Sequence, residues 1–321
     1  MMRLGIDLGG TKTEILVLGN RGEELLRRRV PTPNNDYNSI VRTIRDLVTD
    51  AEAKLESCGS VGVAIPGAIS RKTGLVKNAN STRLIGHPLD KDLGVALNRE
   101  VRIENDANCF ALSEAADGAG AGYDIIFGVI AGTGVGGGIC VNGRVLSGAH
   151  GIAGEWGHNP LPAPRGPQEI DNPPRCYCGR YGCVESWCSG PALVRQYESC
   201  TGRTLSVPEI VEAARQGDAA AVAEMTNFYD RLARSLASVV SVLDPDVIVM
   251  GGGLSNIEEL YIELPPLVER YAFTPEGPTN IVQNKHGDSS GVRGAAWLWR
   301  EEEVQRGLPN NVVPLAGATS R

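Results

Sequence analysis

The stretch Leu4-Gly5-Ile6-Asp7-Leu8-Gly9-Gly10-Thr11-Lys12-Thr13 decides the fold. Leu4 to Leu8 and Thr13 to Leu18 are short β-type runs around Gly9-Gly10-Thr11-Lys12, a pattern that predicts a hairpin whose turn is built of glycine and a hydroxyl. Glycine lets such a turn bring its backbone amides up to a terminal phosphate, with the Thr11 hydroxyl as a donor and Lys12 as a counter-charge. Asp7, two residues before the turn, is placed to hold Mg²⁺ directly or through water; its plainer reading is a turn aspartate. There is no Gly-x-x-x-x-Gly-Lys-Ser/Thr loop and no kinase-type glycine-rich loop, which excludes P-loop and protein-kinase folds.

A second hairpin of the same kind is expected further on. Ile125 to Ala131 and Gly138 to Val141 flank Gly132-Thr133-Gly134-Val135-Gly136-Gly137, and Gly5 and Gly9 recur as Gly128 and Gly132, 123 residues on. The recurrence suggests two related halves, each with a phosphate-facing turn. Between the hairpins, Ile40, Ile44, Leu47, Val48, Ala51 and Leu55 fall at helical spacing, and Val61 to Ile65 reads as a buried strand ending at Pro66-Gly67. The strand Arg102-Ile103-Glu104 runs into Asn105-Asp106-Ala107-Asn108 ahead of a helical Cys109 to Ala116, so Asp106 is expected at or near a helix N-terminus. Ala219 to Leu243 reads as a long helix, followed by the strand Val247 to Met250, the turn Gly251-Gly252-Gly253 and a helical pattern from Asn256 onward. That unit suits a nucleotide at the strand's carboxyl end, with Gly252 and Gly253 against its phosphates. Alternating strands and helices make the chain α/β.

The 321 residues suffice for about two domains. The first aspartate precedes any apolar run that could serve as a signal peptide, and no stretch approaches ~18 consecutive apolar residues, so a cytoplasmic protein without a membrane partner is expected. A net charge of −7 argues against a nucleic-acid surface. After Trp299 the sequence turns charged and proline-bearing, and 303–321 is expected to be a mobile tail.

Two sets of residues can carry chemistry. Asp106 is the candidate general base: a helix N-terminus favours its ionised form, and Asn105 and Asn108 can orient it or its substrate, although an ordinary N-cap aspartate would read the same. Gly154-Glu155-Trp156-Gly157-His158 and Cys176-Tyr177-Cys178-Gly179-Arg180-Tyr181-Gly182-Cys183-Val184-Glu185 bring one His and three Cys together where a tetrahedral metal site can close, which makes structural zinc the leading reading over disulfides or buried thiols. Cys188 is the only stand-in ligand; Cys58, Cys109, Cys140 and Cys200 read as small buried residues. A closed site leaves no metal-bound water, which argues against a zinc hydrolase. Asn78, Asn80, Glu155, His158 and Glu185 offer the mixed donors and acceptors that a polyhydroxylated ligand needs. His87, His150 and His286 have no comparable context.

Taken together these segments resemble the ROK family of sugar kinases, from Leu4 to about Trp299. The resemblance implies an actin-like ATPase (ribonuclease H-like) fold with two α/β domains around a cleft. It assigns Asp106 as catalytic base, Glu155, His158 and Glu185 as sugar contacts, and His158, Cys176, Cys178 and Cys183 as zinc ligands. Within the family, Val76 to Thr82, Gly157-His158-Asn159-Pro160-Leu161-Pro162 and Lys285 to Trp299 are most similar to bacterial fructokinase, also called mannokinase, with Asn159-Pro160 tilting the choice. The alternatives are N-acetylglucosamine kinase and glucokinase. The family's sugar-sensing repressors carry a DNA-binding domain ahead of the sugar-binding part, for which a hairpin starting at Leu4 leaves no room. The expectation is therefore MgATP-dependent phosphorylation of a hexose, fructose first, at its C6 hydroxyl. Asn80, Asn105, Asp106, Glu155, His158 and Glu185 would meet the sugar. Gly9, Gly10, Thr11, Lys12, Gly132, Thr133, Gly134, Gly252 and Gly253 would meet the phosphates, with Asp7 on Mg²⁺. The expected division is 1–118 as a small domain with a returning helix at about 289–300, and 119–288 as a large domain with the zinc loop; a homodimer is left open.

Overall fold

A computed structural model describes residues 2–34, 36–79, 81–287 and 290–310. The chain divides into two units, the first comprising the described residues of Met1–Ala116, Gly148–Ile152 and Ser289–Arg321, the second those of Asp117–Ser147 and Ala153–Asp288.

In the first unit, β1 (Met2–Leu8), β2 (Lys12–Leu18) and β3 (Glu24–Pro31) form an antiparallel meander. Helix α1 (Tyr37–Leu55) leads to β4 (Gly59–Ile65), and after the short pair β5 (Ala68–Ile69) and β6 (Val76–Lys77), α2 (Leu89–Leu97) leads to β7 (Val101–Asn105) and α3 (Asp106–Asp117). The sheet order is β3-β2-β1-β4-β7, with β4 and β7 parallel to β1. Helix α1 forms where its sequence spacing requires: Ile40, Ile44, Leu47, Val48 and Ala51 make one buried stripe, and the Asp36 side chain caps its start by accepting from the Ser39 amide at 2.8 Å.

The second unit repeats that topology. β8 (Ile125–Ala131), β9 (Val135–Val141) and β10 (Arg144–Val145) form the meander, and the helices α4 (Gly166–Ile170), α5 (Val184–Cys188), α6 (Gly190–Thr201), α7 (Val207–Arg215) and α8 (Ala219–Leu243) precede β11 (Val247–Gly251). After a 3-10 turn at Gly253–Asn256 come α9 (Leu260–Tyr271) and β12 (Ile281–Gln283), and the sheet order is β10-β9-β8-β11-β12 with β11 and β12 parallel to β8. Each sheet thus runs third, second, first, fourth, fifth in order of its own strands, which is the architecture of actin-like ATPases. The helical pattern read from Asn256 is interrupted, because the 3-10 turn closes before α9 begins.

Helix α10 (Ser290–Trp297) returns to the first unit and lies flat on β1 and β4. The approach is close enough that a Cβ at Gly5 would sit 2.0 Å from the Val292 carbonyl, and one at Gly294 would sit 1.7 Å from the Cys109 carbonyl. Gly148–Ile152 also groups with this unit rather than with the larger domain expected to contain it, and Lys77 Nζ donates to the His150 carbonyl there at 2.5 Å. The stretch expected as a tail packs instead: Val304 is 2% exposed, and Arg102 pairs with Glu303 at 2.7 Å. Burial of one apolar side chain and a fixed ion partner hold 301–307 as a 3-10 segment against β4; residues 311–321 lie outside the described residues. Among the described residues, no helix is long and apolar enough to cross a membrane.

Candidate active site

Both units carry residues with candidate chemistry. In the first, Asp7 closes β1 and the turn Gly9-Gly10-Thr11-Lys12 follows, with Gly10, Thr11 and Lys12 exposed. The turn is fixed from behind: the Gly9 amide donates to the Lys12 carbonyl at 3.0 Å, the Thr32 hydroxyl donates to the Gly9 carbonyl at 2.8 Å, and the Thr32 amide donates to the Thr11 carbonyl at 2.9 Å. A rigid, solvent-facing loop of amides results, as phosphate binding requires.

Hairpin register sets Asp7 opposite Glu14, and the next pair sets Glu14 opposite Arg29. Glu14 is buried, pairs with Arg27, and accepts from Arg29 Nε at 2.9 Å and Nη2 at 2.5 Å. Asp7 stands in this row with its carboxyl pushed up to about 6, first by burial, then by the charges of Asp106 and Glu14, with Arg29 pulling the other way. The sequence reading passed over Glu14 and Arg29. The turn length was the signal, because a pairing of Leu8 with Thr13 obliges Asp7 to face Glu14.

At the C-terminal end of β7, the cap of α3 is Asn105: its Oδ1 accepts from the Ala107 amide at 2.9 Å and from the Asn108 amide at 3.4 Å, while its Nδ2 donates to the Gly67 carbonyl at 3.2 Å. Asp106 is therefore the first residue of the helix rather than its cap, and its Oδ1 accepts from the neighbouring Ala107 amide at 2.8 Å. Asn108 points away, donating to Glu104 at 3.0 Å. Asn105 serves the helix cap, and Asn80 lies outside the described residues. Asn78 takes a left-handed conformation (φ 55°).

In the second unit, the glycine run after β8 divides between two tasks. Gly132, Thr133 and Gly134 make the turn, and a Cβ at Gly132 would sit 3.4 Å from the Gly253 amide nitrogen, so the turns after β8 and β11 adjoin. Gly136 and Gly137 serve packing instead. Trp156 Nε1 donates to the Gly136 carbonyl at 2.9 Å, and a Cβ at Gly137 would come within 2.9 Å of the Trp156 ring. Gly157 is pressed on the same strand, its Cβ position 1.8 Å from the Val135 carbonyl. This strand face seats the 3-10 turn Trp156–His158, which presents Glu155 exposed at its start and His158 at its end.

His158 Nδ1 faces Cys176 Sγ at 3.6 Å, Cys178 Sγ and Cys183 Sγ are 3.6 Å apart, and the four ligand atoms lie within 4.8 Å of one another. A tetrahedron with metal bonds of about 2.0–2.3 Å has edges of about 3.3–3.8 Å, which these separations approach. The loop is a tight knuckle: the Cys176 amide donates to the Arg180 carbonyl at 2.8 Å, and the Gly179 amide to the Cys176 carbonyl at 3.0 Å. The Arg180 amide holds the Cys178 thiol down to about 6, while burial pushes Cys183 up to about 12. All eight cysteines are free thiols, and Cys188 is buried outside the cluster. With Nδ1 turned to the sulfurs, His158 Nε2 is the outer nitrogen; it lies 3.0 Å from Tyr177 Oη, a partner the sequence did not single out. Burial, then the charges of Glu185 and Glu155, push that phenol up to about 12, which sets both carboxylates in its neighbourhood.

Two sheets of one strand order, with a glycine turn after the first strand of each, define the actin-like ATPase class. Residues 3–302 match the ROK family, and the chain belongs to it. An N-acetyl-D-glucosamine kinase of Yersinia pseudotuberculosis is 41% identical over 304 residues, covering 94% of this chain and 100% of that protein. A ROK hexokinase from Thermus thermophilus superposes with a TM-score of 0.81 at 31% identity, over 93% of this chain and 97% of that one. A ROK family glucokinase from Streptomyces griseus in complex with glucose and AMPPNP superposes with a TM-score of 0.70 at 30% identity, over 92% and 98% of the two chains. These likenesses support a ROK family sugar kinase and turn the substrate expectation away from fructose toward its N-acetylglucosamine alternative.

Proposed function

We propose that the protein is an N-acetyl-D-glucosamine kinase that transfers the γ-phosphoryl group of MgATP to the sugar's C6 hydroxyl. The observation that carries the reading is likeness to N-acetyl-D-glucosamine kinases along 94% of the chain at 41% identity. Asp106 is the general base. Asn105 relieves it of the capping task, and the helix N-terminus favours its ionised form until it takes the hydroxyl proton. The Gly9–Lys12 and Gly132–Gly134 turns, with Gly252 and Gly253, bind phosphates, and Asp7 holds Mg²⁺. Glu155, His158 and Glu185 contact the sugar, and Asn80 and Asn105 are assigned as further sugar contacts. His158, Cys176, Cys178 and Cys183 hold a structural zinc that keeps the sugar-binding loop folded; the separations near 3.6 Å and the depressed Cys178 thiol support that assignment.

Discrimination between N-acetylglucosamine and glucose rests on one acetamido group, worth about one buried methyl and one hydrogen bond, or roughly 2 kcal/mol. A coupled ADP-release assay should therefore rank N-acetylglucosamine above glucose by about thirtyfold in kcat/KM, with fructose and mannose below both. A higher kcat/KM for fructose would overturn the substrate assignment, and no ADP release with any of the four sugars would overturn the kinase reading.

A further inference from the structure

We infer that Glu185 is a positioning residue for the second glycine turn, tying that turn to the Cys/His loop, in addition to the sugar contact assigned to it above. The inference rests on the kinase reading. Glu185 is the second residue of α5, and its Oε2 accepts from the Val135 amide at 3.0 Å, at the start of β9. The same oxygen lies 2.5 Å from where a Cβ at Gly134 would be. Glu185 follows Cys183 by two residues, so the chain itself joins this carboxylate to the Cys/His loop.

Among the described residues, the turn is otherwise held by backbone. The Gly132 amide donates to the Gly134 carbonyl at 2.9 Å, and the Gly190 amide at the start of α6 donates to the Gly132 carbonyl at 2.8 Å. The Glu185 side chain fixes the far end of this arc, through a hydrogen bond from the Val135 amide. Gly134 is needed here because the carboxylate occupies the space a side chain would take. Its φ is not in the left-handed region, so no backbone constraint demands glycine at this position.

The test separates this role from sugar contact by measuring nucleotide binding without sugar. Calorimetric titration of the full chain with Mg-AMPPNP should give a Kd raised about tenfold by Glu185→Ala, the effect of losing a charge-assisted hydrogen bond. Glu185→Gln keeps an acceptor oxygen of the same reach and should stay within about threefold of wild type. Gly134→Ala, which pushes the carboxylate aside, should weaken binding in the wild-type background and cost little more in Glu185→Ala, because the space is then vacant. Thermal unfolding of each variant shows whether it is folded, and if Glu185→Ala is not, the Gln and Gly134→Ala variants decide. Unchanged nucleotide affinity in Glu185→Ala, or a Gly134→Ala effect equal in both backgrounds, would overturn the inference while leaving the kinase reading intact. Wild-type protein that fails to bind Mg-AMPPNP would overturn both.

Discussion

Asp7→Asn should make the protein more stable while removing its metal-dependent turnover. The Asp7 carboxyl is raised from an ordinary 3.8 to about 6, chiefly by burial and then by the charges of Asp106 and Glu14. A shift of that size corresponds to about 3 kcal/mol withheld from the folded state once the group is ionised in both states. The folded protein keeps the proton where the unfolded chain loses it, between about pH 4 and 6, so this group's contribution to stability falls as pH rises through that window. Asparagine does not ionise and escapes the loss. Urea unfolding followed by circular dichroism should find the variant ahead by about 3 kcal/mol at pH 8, by about 1.5 kcal/mol at pH 5, and level with wild type below pH 4. Millimolar Mg²⁺ should narrow the gap at pH 8 by stabilising the wild type alone. A variant no more stable than wild type at pH 8, or a gain that does not shrink with acidity, would refute the electrostatic account of this carboxylate.

The other predictions concern the base, the metal and the packing of the last helix. Asp106→Ala should lower kcat by about 10² to 10⁴ and leave the calorimetric affinity for sugar largely unchanged; normal turnover would remove Asp106 from the chemistry. Elemental analysis of protein purified without chelator should find one zinc per chain, and Cys178→Ser should lose the metal together with sugar phosphorylation. Zinc-free protein with full activity would count against the assignment. Gly294→Ala puts a methyl group 1.7 Å from the Cys109 carbonyl, where only backbone can yield, and should lower stability by about 1–3 kcal/mol or more. Unchanged unfolding midpoints would show that α10 can lift from the sheet at little cost.

Most of the scaffold was legible because its apolar periodicities are strong. The Ile40–Leu55 stripe became α1, the Ala219–Leu243 helix has those same bounds, and the first glycine hairpin closed as its spacing required, while the second closed more tightly, with β9 starting at Val135 rather than Gly138. The strand β3 escaped notice because it is a charged edge. Arg27 and Arg29 turn to Glu14 on one face while Arg28 turns to Asp50 on the other, at 2.9 Å, so no apolar alternation marks it. The division of labour among Gly132–Gly138 was also illegible, since a phosphate turn and a seat for Trp156 require the same residue. What separates them is the neighbour: Gly134 meets a carboxylate, Gly137 an indole, and neither neighbour is close in sequence.

The choice of hexose was the least legible feature, and the likeness to N-acetyl-D-glucosamine kinases favours that alternative over fructose. The fructose expectation leaned on Asn159-Pro160, two residues after a proposed ligand. In the fold, the Asn159 carbonyl accepts from the Val184 amide at 2.9 Å, and Pro160 forms an isolated antiparallel bridge with Cys183. Both are backbone tasks that bring the His158 turn against the Cys183 end of the knuckle. The backbone of the dipeptide thus serves the closing of the loop, and these two contacts carry no information about the hexose. Selectivity for an acetamido group requires side chains shaped around C2 of the sugar, and a dipeptide match samples too few positions to report on them. Likeness along 94% of the chain at 41% identity draws on far more positions than a dipeptide, which is why it outweighs it.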